Sequence, residues 1–517
     1  MFAYITELKN ISMKNNFDSR MLNFCGDPID LKNIFNVELI NGIISSMTIG
    51  KAAGYDGLMI EHIKYAHPTI ILILVKLFNL MIIFSYVPKR FGEGLTIPIP
   101  KQDSLGNFTN LNDYRGITIS PVISKIFEHC VLKTFSNYLG SSKQQFGFKR
   151  NVGCSQPVFL VRQTVEYFIK NDSTVNICTM DLSKAFDKVN IYGLFVKLID
   201  RNVPACLVKL LKFWYTNSHM CIRWGNAIST FHNLQAGVRQ GGVLSPTLFS
   251  IYVNDILDKL AKTHLGCYIK KQCLSILMYA DDIIILTNSI TDLQKIVNYC
   301  TEEFNLLDLS INCKKSACLR IGPRYKKECI SITSNGSAIP WCKEIKYLGV
   351  FIAEGKTFRC NFDSNRVKFY RSFNCLYSKI GKSQNPSVIL SLLTSYSLPV
   401  LLYGLDSVST STADMQRLNL AYNRSFMKIF NTYNSEIIAQ CQFYSSMLPL
   451  RDYINQRKIS LLVNLKNDPD LRFSMVFKQA IEDEMIAILN FYDCSLNCGF
   501  NLLKCNMWKK FETSTFT

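Results

Sequence analysis

Two apolar runs near the middle of the chain surround a pair of acidic residues. Leu274–Met278 and Ile283–Leu286 are apolar, and Asp281 and Asp282 stand between them. This pattern predicts two short strands joined by a tight turn at Tyr279-Ala280-Asp281-Asp282. Adjacent carboxylates at a hairpin tip repel each other and resist burial. A bound divalent cation would neutralise them, and a solvated surface loop is the plain alternative.

A third carboxylate follows another apolar segment upstream. Val175–Met180 reads as a strand, Asp181 follows at its end, and a turn then leads into a helical pattern. A strand-end acid and an acidic hairpin can converge on neighbouring strands. Such oxygen ligands suit Mg²⁺, and two ions about 4 Å apart can activate a hydroxyl and stabilise a leaving pyrophosphate. The alternative is three unrelated loop aspartates.

Other apolar patterns predict helices around this centre. Ile40, Ile43 and Ile44 have helical spacing, and the run Thr69–Tyr86 approaches the length of a membrane span. Lys76 and Asn79 interrupt that run, so we expect a buried helix instead. After the hairpin, Thr291-x-x-Gln294 resembles a capping box. It opens a helix whose apolar face consists of Leu293, Ile296, Val297, Cys300, Phe304 and Leu307.

Composition narrows the class of partner. The 517 residues suffice for several subdomains, and the formal net charge of +19 suits a partner that carries phosphates. The chain is rich in Lys, Asn, Ile and Phe, so codon bias could inflate that charge. The 19 cysteines are scattered and no signal peptide is evident. We therefore expect reduced thiols and an intracellular protein of the nucleus and cytoplasm, not a secreted one, with no membrane partner.

Together with further blocks, these acids resemble the catalytic core of reverse transcriptases, most closely the non-LTR, LINE-type retrotransposon class. Each block is weak alone, but their collinear order is a strong signal. The first block, Gly50–Gly57, has Ala53 at the position where the family usually has proline. The blocks are Gly50–Gly57, Ile97–Lys101, Asn112–Ile117, Gln145–Lys149, Gly237–Pro246, Asn312–Ser316 and Tyr347–Val350, with a fainter continuation at Leu398–Gly404.

The resemblance implies an RNA-directed DNA polymerase that extends a DNA primer on an RNA template with deoxynucleoside triphosphates. Asp181 and Asp281 would bind two Mg²⁺ ions, with Asp282 as the third acid, Leu182 in the metal-binding set and Mn²⁺ as the alternative ion. The oligomeric state is not implied.

The family also implies roles around the acids. Lys101 and Arg115 would clamp the triphosphate, although either could be a solvated surface residue. Phe186 would exclude a ribose 2′-hydroxyl, its alternative being a core phenylalanine. The remaining implied contacts are Gln240, Gly241 and Lys315 with the nucleotide, and Tyr279 and Gly349 with the primer and template. Ser245 is expected to cap a helix with Pro246 in its first turn.

The implied fold is α+β, a right-hand polymerase with fingers, a ferredoxin-like palm and a helical thumb. The expected domains are an N-terminal helical extension over 1–50, fingers over 51–160, the palm with the catalytic centre over 161–354, the thumb over 355–450 and a C-terminal helical tail of unclear role over 451–517. Basic residues expected on the thumb are Arg366, Lys368, Arg371, Lys379 and Lys382.

Two other classes stay open. One is an RNA-dependent RNA polymerase, against which Ala280 before the acid pair and the bulky Phe186 argue. The other is a maturase-like or catalytically decayed RNA-binding relative, against which the intact Asp181, Asp281 and Asp282 argue. Endonuclease motifs are not found, so we expect a polymerase module from a larger or truncated element.

Overall fold

The computed structural model of the chain describes residues 2–31, 33–101, 110–380, 385–467, 476–496 and 498–516. The helices are α1 Phe2–Leu22, α2 Val37–Ser46, α3 Ile60–Lys64, α4 Thr69–Phe84, α5 Val122–Thr134, α6 Ser155–Lys170, α7 Ile191–Asp200, α8 Ala205–Thr216, α9 Ser245–Leu260, α10 Ile290–Leu306, α11 Asp363–Ile380, α12 Pro386–Leu392, α13 Leu398–Leu401, α14 Thr412–Phe430, α15 Ser435–Tyr444, α16 Leu450–Asn467, α17 Lys478–Phe491 and α18 Phe500–Phe516. The strands are β1 Glu93–Pro100, β2 Tyr114–Ile119, β3 Val175–Asp181, β4 His219–Trp224, β5 Ala227–Ile228, β6 His232–Asn233, β7 Tyr268–Ile269, β8 Gln272–Cys273, β9 Ile276–Tyr279, β10 Asp282–Thr287, β11 Ala317–Ile321, β12 Ile332–Ser334, β13 Ser337–Ile339, β14 Glu344–Tyr347, β15 Val350–Ala353 and β16 Arg359–Asn361.

The chain divides into two compact units, each assembled from separate stretches of sequence. The first unit contains residues 1–148, 182–259 and 300–311, and the second contains 149–181, 260–299 and 312–517. Both units mix helices with strands, so the mixed helix and strand content of the predicted α+β class is confirmed. The five-domain division stays a prediction.

The first unit is built on a sheet in the order β2-β1-β4-β5, with β6 beside β4. Strand β1 pairs antiparallel with β2 and parallel with β4. An aromatic cluster lies among the helices, with ring centroids 5.0–6.5 Å apart in tilted or edge-on pairs. Such pairs contribute about 0.5–1.5 kcal/mol each beyond the apolar area that they bury. The cluster consists of Phe35, Phe78, Phe91, Phe127 and Trp214.

The apolar run that approaches membrane length forms α4, of which one face is buried. Asn79 lies on that face, where its side chain donates to the Phe35 carbonyl at 2.8 Å and accepts from the Phe35 amide at 3.0 Å. The expected buried helix is found for one face only, since Leu72, Ile73, Leu80, Ile83 and Phe84 are exposed. Within the described ranges, no helix has both the length and the apolar character needed to cross a membrane.

The second unit contains an antiparallel sheet in the order β11-β3-β10-β9. Strand β3 occupies a central position and is buried along most of its length, including the polar Asn176. The strands β9 and β10 are the two halves of the predicted hairpin. This sheet therefore places the ends of β3, β9 and β10 side by side.

Helix α10 confirms most of its predicted apolar face. Leu293, Ile296, Val297, Cys300 and Phe304 are fully buried, whereas Leu307 is only half-buried. The predicted capping box at Thr291 and Gln294 is wrong. Ser289 occupies the cap, where its hydroxyl accepts from the Asp292 amide at 3.4 Å. Gln294 instead donates to the Thr333 carbonyl and accepts from the Thr333 amide.

Helices dominate the second unit after β16. Helix α11 exposes Lys368, Arg371 and Lys379 along its surface, and Arg366 pairs with Asp363. Lys382 lies outside the described residues. The C-terminal helices are tied to α6 by an ion pair between the buried Arg162 and Glu484 of α17.

Candidate active site

The three predicted acids lie at one end of the four-stranded sheet of the second unit. Asp181 ends β3, Asp282 begins β10, and the two stand directly opposite each other in the antiparallel register. Asp281 precedes Asp282 in the turn from β9. Residues in such opposed positions have Cβ atoms about 4.5–5.5 Å apart, so like charges there repel. The fold thus concentrates negative charge at this sheet end.

The turn that presents Asp281 is a two-residue connection. Tyr279 pairs with Asp282, which leaves Ala280 and Asp281 as the central residues. Ala280 adopts a φ of +59°, a conformation in which glycine or asparagine is more usual. The predicted hairpin is confirmed, and its turn holds an alanine in a strained backbone conformation beside the acids.

The donor set suits a magnesium ion, but it does not form a closed cage. Within the part of the chain that the structure describes, no three His, Cys, Asp or Glu side chains are gathered closely enough to hold a metal ion. Mg²⁺ is commonly held by one or two carboxylates, with waters and substrate phosphates as the other ligands. The opposed Asp181 and Asp282, with Asp281 beside them, fit such an open site.

Lys315 lies in a turn that is anchored to the same sheet end. The Asn312 amide donates to the Asp181 carbonyl at 2.8 Å, and the Lys315 amide donates to the Asn312 carbonyl at 3.1 Å. The Ser316 hydroxyl accepts from the Asp181 amide at 3.3 Å. The exposed Lys315 side chain therefore belongs to a turn that is hydrogen-bonded to the backbone of Asp181.

Gly349, a predicted primer contact, belongs to a second tight hairpin of this unit. Leu348 and Gly349 have φ values of +46° and +82° and connect β14 to β15. A Cβ at Gly349 would lie 2.9 Å from Cε1 of Tyr403, whose hydroxyl donates to the Leu348 carbonyl at 2.7 Å. Only glycine fits under this ring without displacement.

Tyr279, the other predicted primer contact, precedes the acidic turn. Burial raises the pKa of Tyr279 to about 12, and the neighbouring Cys154 thiol adds to the shift. The phenol therefore stays protonated at neutral pH and can donate a hydrogen bond.

The predicted triphosphate cations lie in the first unit. Strands β1 and β2 pair so that Ile99 stands opposite Arg115, and Lys101 directly follows β1. The Lys101 amide donates to the Asp113 carbonyl at 2.8 Å. Lys101 is half-buried and Arg115 is exposed. The structure thus brings the two cations to the same end of one strand pair.

Phe186 is held by a second ring. It begins a short 3₁₀ turn over Phe186–Lys188 and stacks on Phe249 of α9, with centroids 4.7 Å apart and planes 17° apart. Phe148 approaches the Phe186 ring edge-on at 6.0 Å. Phe186 is only half-buried, so it is not simply a core residue. One face of the Phe186 ring therefore packs against Phe249, and part of the ring stays accessible to solvent.

Gln240 and Gly241 form a loop that is fixed against β2. The Thr118 amide donates to the Gln240 carbonyl at 2.7 Å, and the Gln240 side chain donates to the Asp187 carboxylate at 3.0 Å. Gly241 has a φ of +120°, and a Cβ there would collide with the Thr118 carbonyl oxygen. Glycine is therefore required by both conformation and space.

Helix α9 begins at Ser245 as predicted, but the predicted cap is wrong. The carboxylate of Glu128, from α5, accepts from the Leu244 amide at 2.7 Å. Neither Glu128 nor the neighbouring Arg239 received a role from the sequence. The one sequence signal that could have indicated a role for Glu128 was its position as a lone carboxylate on the buried face of α5.

Residues 99–352 match the family model described as reverse transcriptase (RNA-dependent DNA polymerase). This segment, which contains the three acids and the loop at Gln240, is similar to the reverse transcriptase family.

Curated relatives come from mobile elements, and they agree with the predicted non-LTR class. The RNA-directed DNA polymerase from mobile element jockey of Drosophila funebris is 28% identical over 353 residues, which cover 66% of this chain and 37% of the relative. The probable RNA-directed DNA polymerase from transposon X-element of Drosophila melanogaster is 26% identical, covering 61% and 35%. The Pol polyprotein from the type-2 retrotransposable element R2DM of the same species is 24% identical, covering 61% and 30%.

The chain spans about a third of the length of these relatives. Among solved structures, apo telomerase from Candida tropicalis is 12% identical and covers 86% of this chain and 77% of its own, with a TM-score of 0.41.

Proposed function

We propose that this chain is an RNA-directed DNA polymerase of a non-LTR retrotransposon that extends a DNA primer on an RNA template. The observation that carries the proposal is the opposed pair Asp181 and Asp282, with Asp281 in the adjoining turn, inside the segment that matches the reverse transcriptase family. The net charge of +19 supports a polyanionic partner.

The acids would hold Mg²⁺, with Asp181 and Asp281 as ligands, Asp282 as the third acid and Leu182 in the binding set. When bound, the ions would supply the positive charge that favours attack by the primer hydroxyl and departure of pyrophosphate. The protein contributes the opposed carboxylates, whose mutual repulsion is relieved when a cation binds. Mn²⁺ would satisfy the same oxygen ligands.

The first unit would bind the incoming nucleotide. Lys101 and Arg115 would neutralise the triphosphate, the guanidinium through a fork of donors and the ammonium as a point charge. Gln240 and Gly241 would contact the nucleotide. The Phe186 ring, supported from behind by Phe249, would exclude a 2′-hydroxyl by steric conflict, which supports deoxynucleotides as substrates.

The second unit would hold the primer and assist the leaving group. Tyr279 and Gly349 would contact the primer and template. Lys315, whose turn is bonded to Asp181, would donate a proton to the departing pyrophosphate. In the right-hand description, residues 51–160 would be the fingers, 161–354 the palm and 355–450 the thumb.

A primer-extension assay tests the proposal. The protein is given a poly(rA) template, an oligo(dT) primer, dTTP and Mg²⁺, and incorporation of labelled dTMP is expected. A parallel arm offers UTP, which should be used far less. Efficient use of UTP would indicate an RNA polymerase instead. Binding of the template without any incorporation under several salt and metal conditions would contradict the proposed catalysis and indicate a maturase-like or decayed relative.

A further inference from the structure

Two buried side chains of opposite charge, Glu128 and Arg239, support the loop that contains Gln240 and Gly241. Glu128 is 4% exposed and Arg239 is 7% exposed, so neither can reach a nucleotide or a nucleic acid strand directly. Both belong to the first unit. Any influence that they have on catalysis must therefore act through the residues to which they bind.

Arg239 ties the start of the loop to the sheet that carries the proposed triphosphate cations. Its guanidinium donates to the Phe91 and Gly92 carbonyls at 3.2 and 2.8 Å and to the Ser218 hydroxyl at 2.7 Å. These acceptors immediately precede β1 and β4, which pair through Glu93 and His219. Because Lys101 follows β1, the start of the loop and this cation are both attached to the same sheet.

Glu128 fixes the other end of the loop. Its carboxylate accepts from the Leu244 amide, and a Cβ at Gly242 would lie 3.5 Å from the carboxylate oxygen. Burial raises the pKa of Glu128, while the Leu244 amide and the charge of Arg239 oppose that shift. Burial likewise lowers the pKa of Arg239, and Glu128 opposes it. Each group thus partly compensates the burial of the other.

A role in stability alone does not account for this arrangement. Burying charged groups carries a desolvation cost, so the burial of Glu128 and Arg239 is weak evidence for a role in stability. A buried polar network does, however, select one conformation among several. Here the selected conformation is that of the loop between the two charges.

We propose that Glu128 and Arg239 are positioning residues that hold the Gln240-Gly241 loop in the geometry required for binding the incoming deoxynucleotide. The inference rests on the proposed contact between this loop and the nucleotide. Loss of Glu128 would allow the Leu244 end of the loop to shift, and a displacement of about 1 Å at a binding site can cost up to a hundredfold in activity.

The second unit supplies a matched control. Arg162 and Glu484 form an ion pair that includes a buried arginine, and Lys458 adds a further contact to Glu484 at 2.8 Å. This pair joins helices α6, α16 and α17 and contacts no proposed nucleotide residue. Glu484→Gln should reduce thermal stability while leaving the KM for dTTP unchanged.

Steady-state primer extension with varied dTTP tests the proposal on Glu128→Gln, Glu484→Gln and the wild type, with thermal unfolding measured for each. Glu128→Gln should raise the KM for dTTP about tenfold or more while the Kd for primer–template stays within about twofold. An unchanged KM for Glu128→Gln, or an equal rise for Glu484→Gln, would overturn the assignment.

Two further variants keep the outcome decisive. Glu128→Asp retains the charge but withdraws the carboxylate by one methylene, so a smaller rise in KM is expected; it replaces Glu128→Gln if that variant does not fold. Gln240→Ala tests the loop contact itself. If Gln240→Ala leaves the KM unchanged, the proposed nucleotide contact fails; if it raises the KM and Glu128→Gln does not, only the positioning role fails.

Discussion

The acidic hairpin of the second unit and the loop of the first unit are encoded in different ways. Asp281 and Asp282 are placed by residues within a few positions of them, through two apolar strands and a two-residue turn. Gln240 and Gly241 are placed by side chains and backbone groups far away in the sequence, chiefly Thr118 and Glu128. We therefore expect substitutions at the hairpin to affect the chemical step and substitutions around the loop to affect nucleotide binding.

The largest effect is expected at the hairpin. Asp281→Asn keeps the size of the side chain but removes its charge, so the rate of dTMP incorporation should fall by about a thousandfold or more. Template binding should change little. Asp200→Asn, which removes an exposed partner of Arg20, is the control and should retain wild-type incorporation. Retained activity in Asp281→Asn would show that the Asp281 carboxylate is not needed for catalysis.

Gly241→Ala tests the loop directly. The φ of +120° and the contact with the Thr118 carbonyl predict strain of about 1–3 kcal/mol, which corresponds to a rise in the KM for dTTP of about fivefold to 150-fold. Gly225→Ala is the control, since Gly225 has a φ of +59° and open space around its Cβ position. Equal effects in the two variants would attribute the result to general backbone strain.

Phe186→Val tests whether the first unit, which contains the Gln240-Gly241 loop, also discriminates between deoxyribonucleotides and ribonucleotides. Shortening the ring should lower the preference for dTTP over UTP by about tenfold, because the space for a 2′-hydroxyl is opened. Phe213→Val removes another half-buried ring of the first unit and should leave the preference unchanged. An unaltered preference in Phe186→Val would assign Phe186 to packing alone.

A smaller effect is expected at the second hairpin. Tyr403→Phe removes the hydroxyl that donates to Leu348 and should weaken primer binding by about fivefold, or about 1 kcal/mol. Tyr377→Phe deletes a comparable hydrogen bond to the Lys428 carbonyl and should not alter primer affinity. Primer titration by fluorescence anisotropy distinguishes the two variants. Equal primer affinities for Tyr403→Phe and Tyr377→Phe would show that the turn at Leu348 does not contribute to primer binding.

The features that were predicted from the sequence are those fixed by nearby residues, as in the acidic hairpin, and the features that were not predicted depend on distant residues, as in the loop. The hairpin strands, the strand before Asp181 and the apolar face of α10 were predicted because period and turn chemistry act over a few residues. Ser245 was predicted as a cap because it precedes a proline, but a distant carboxylate, Glu128, took a capping interaction. The exposed face of α4 was not predicted, since a run that is apolar apart from Lys76 and Asn79 contains almost no periodic signal.

Rapid-quench measurement of single dTMP incorporation against dTTP concentration, for the wild type, Asp281→Asn and Gly241→Ala, separates catalysis at the acidic hairpin from nucleotide binding at the loop. Asp281→Asn should lose the maximal rate while its apparent Kd for dTTP changes little. Gly241→Ala should lose apparent affinity while most of the maximal rate is kept. A wild-type maximal rate in Asp281→Asn would contradict the assignment of catalysis to the acidic hairpin.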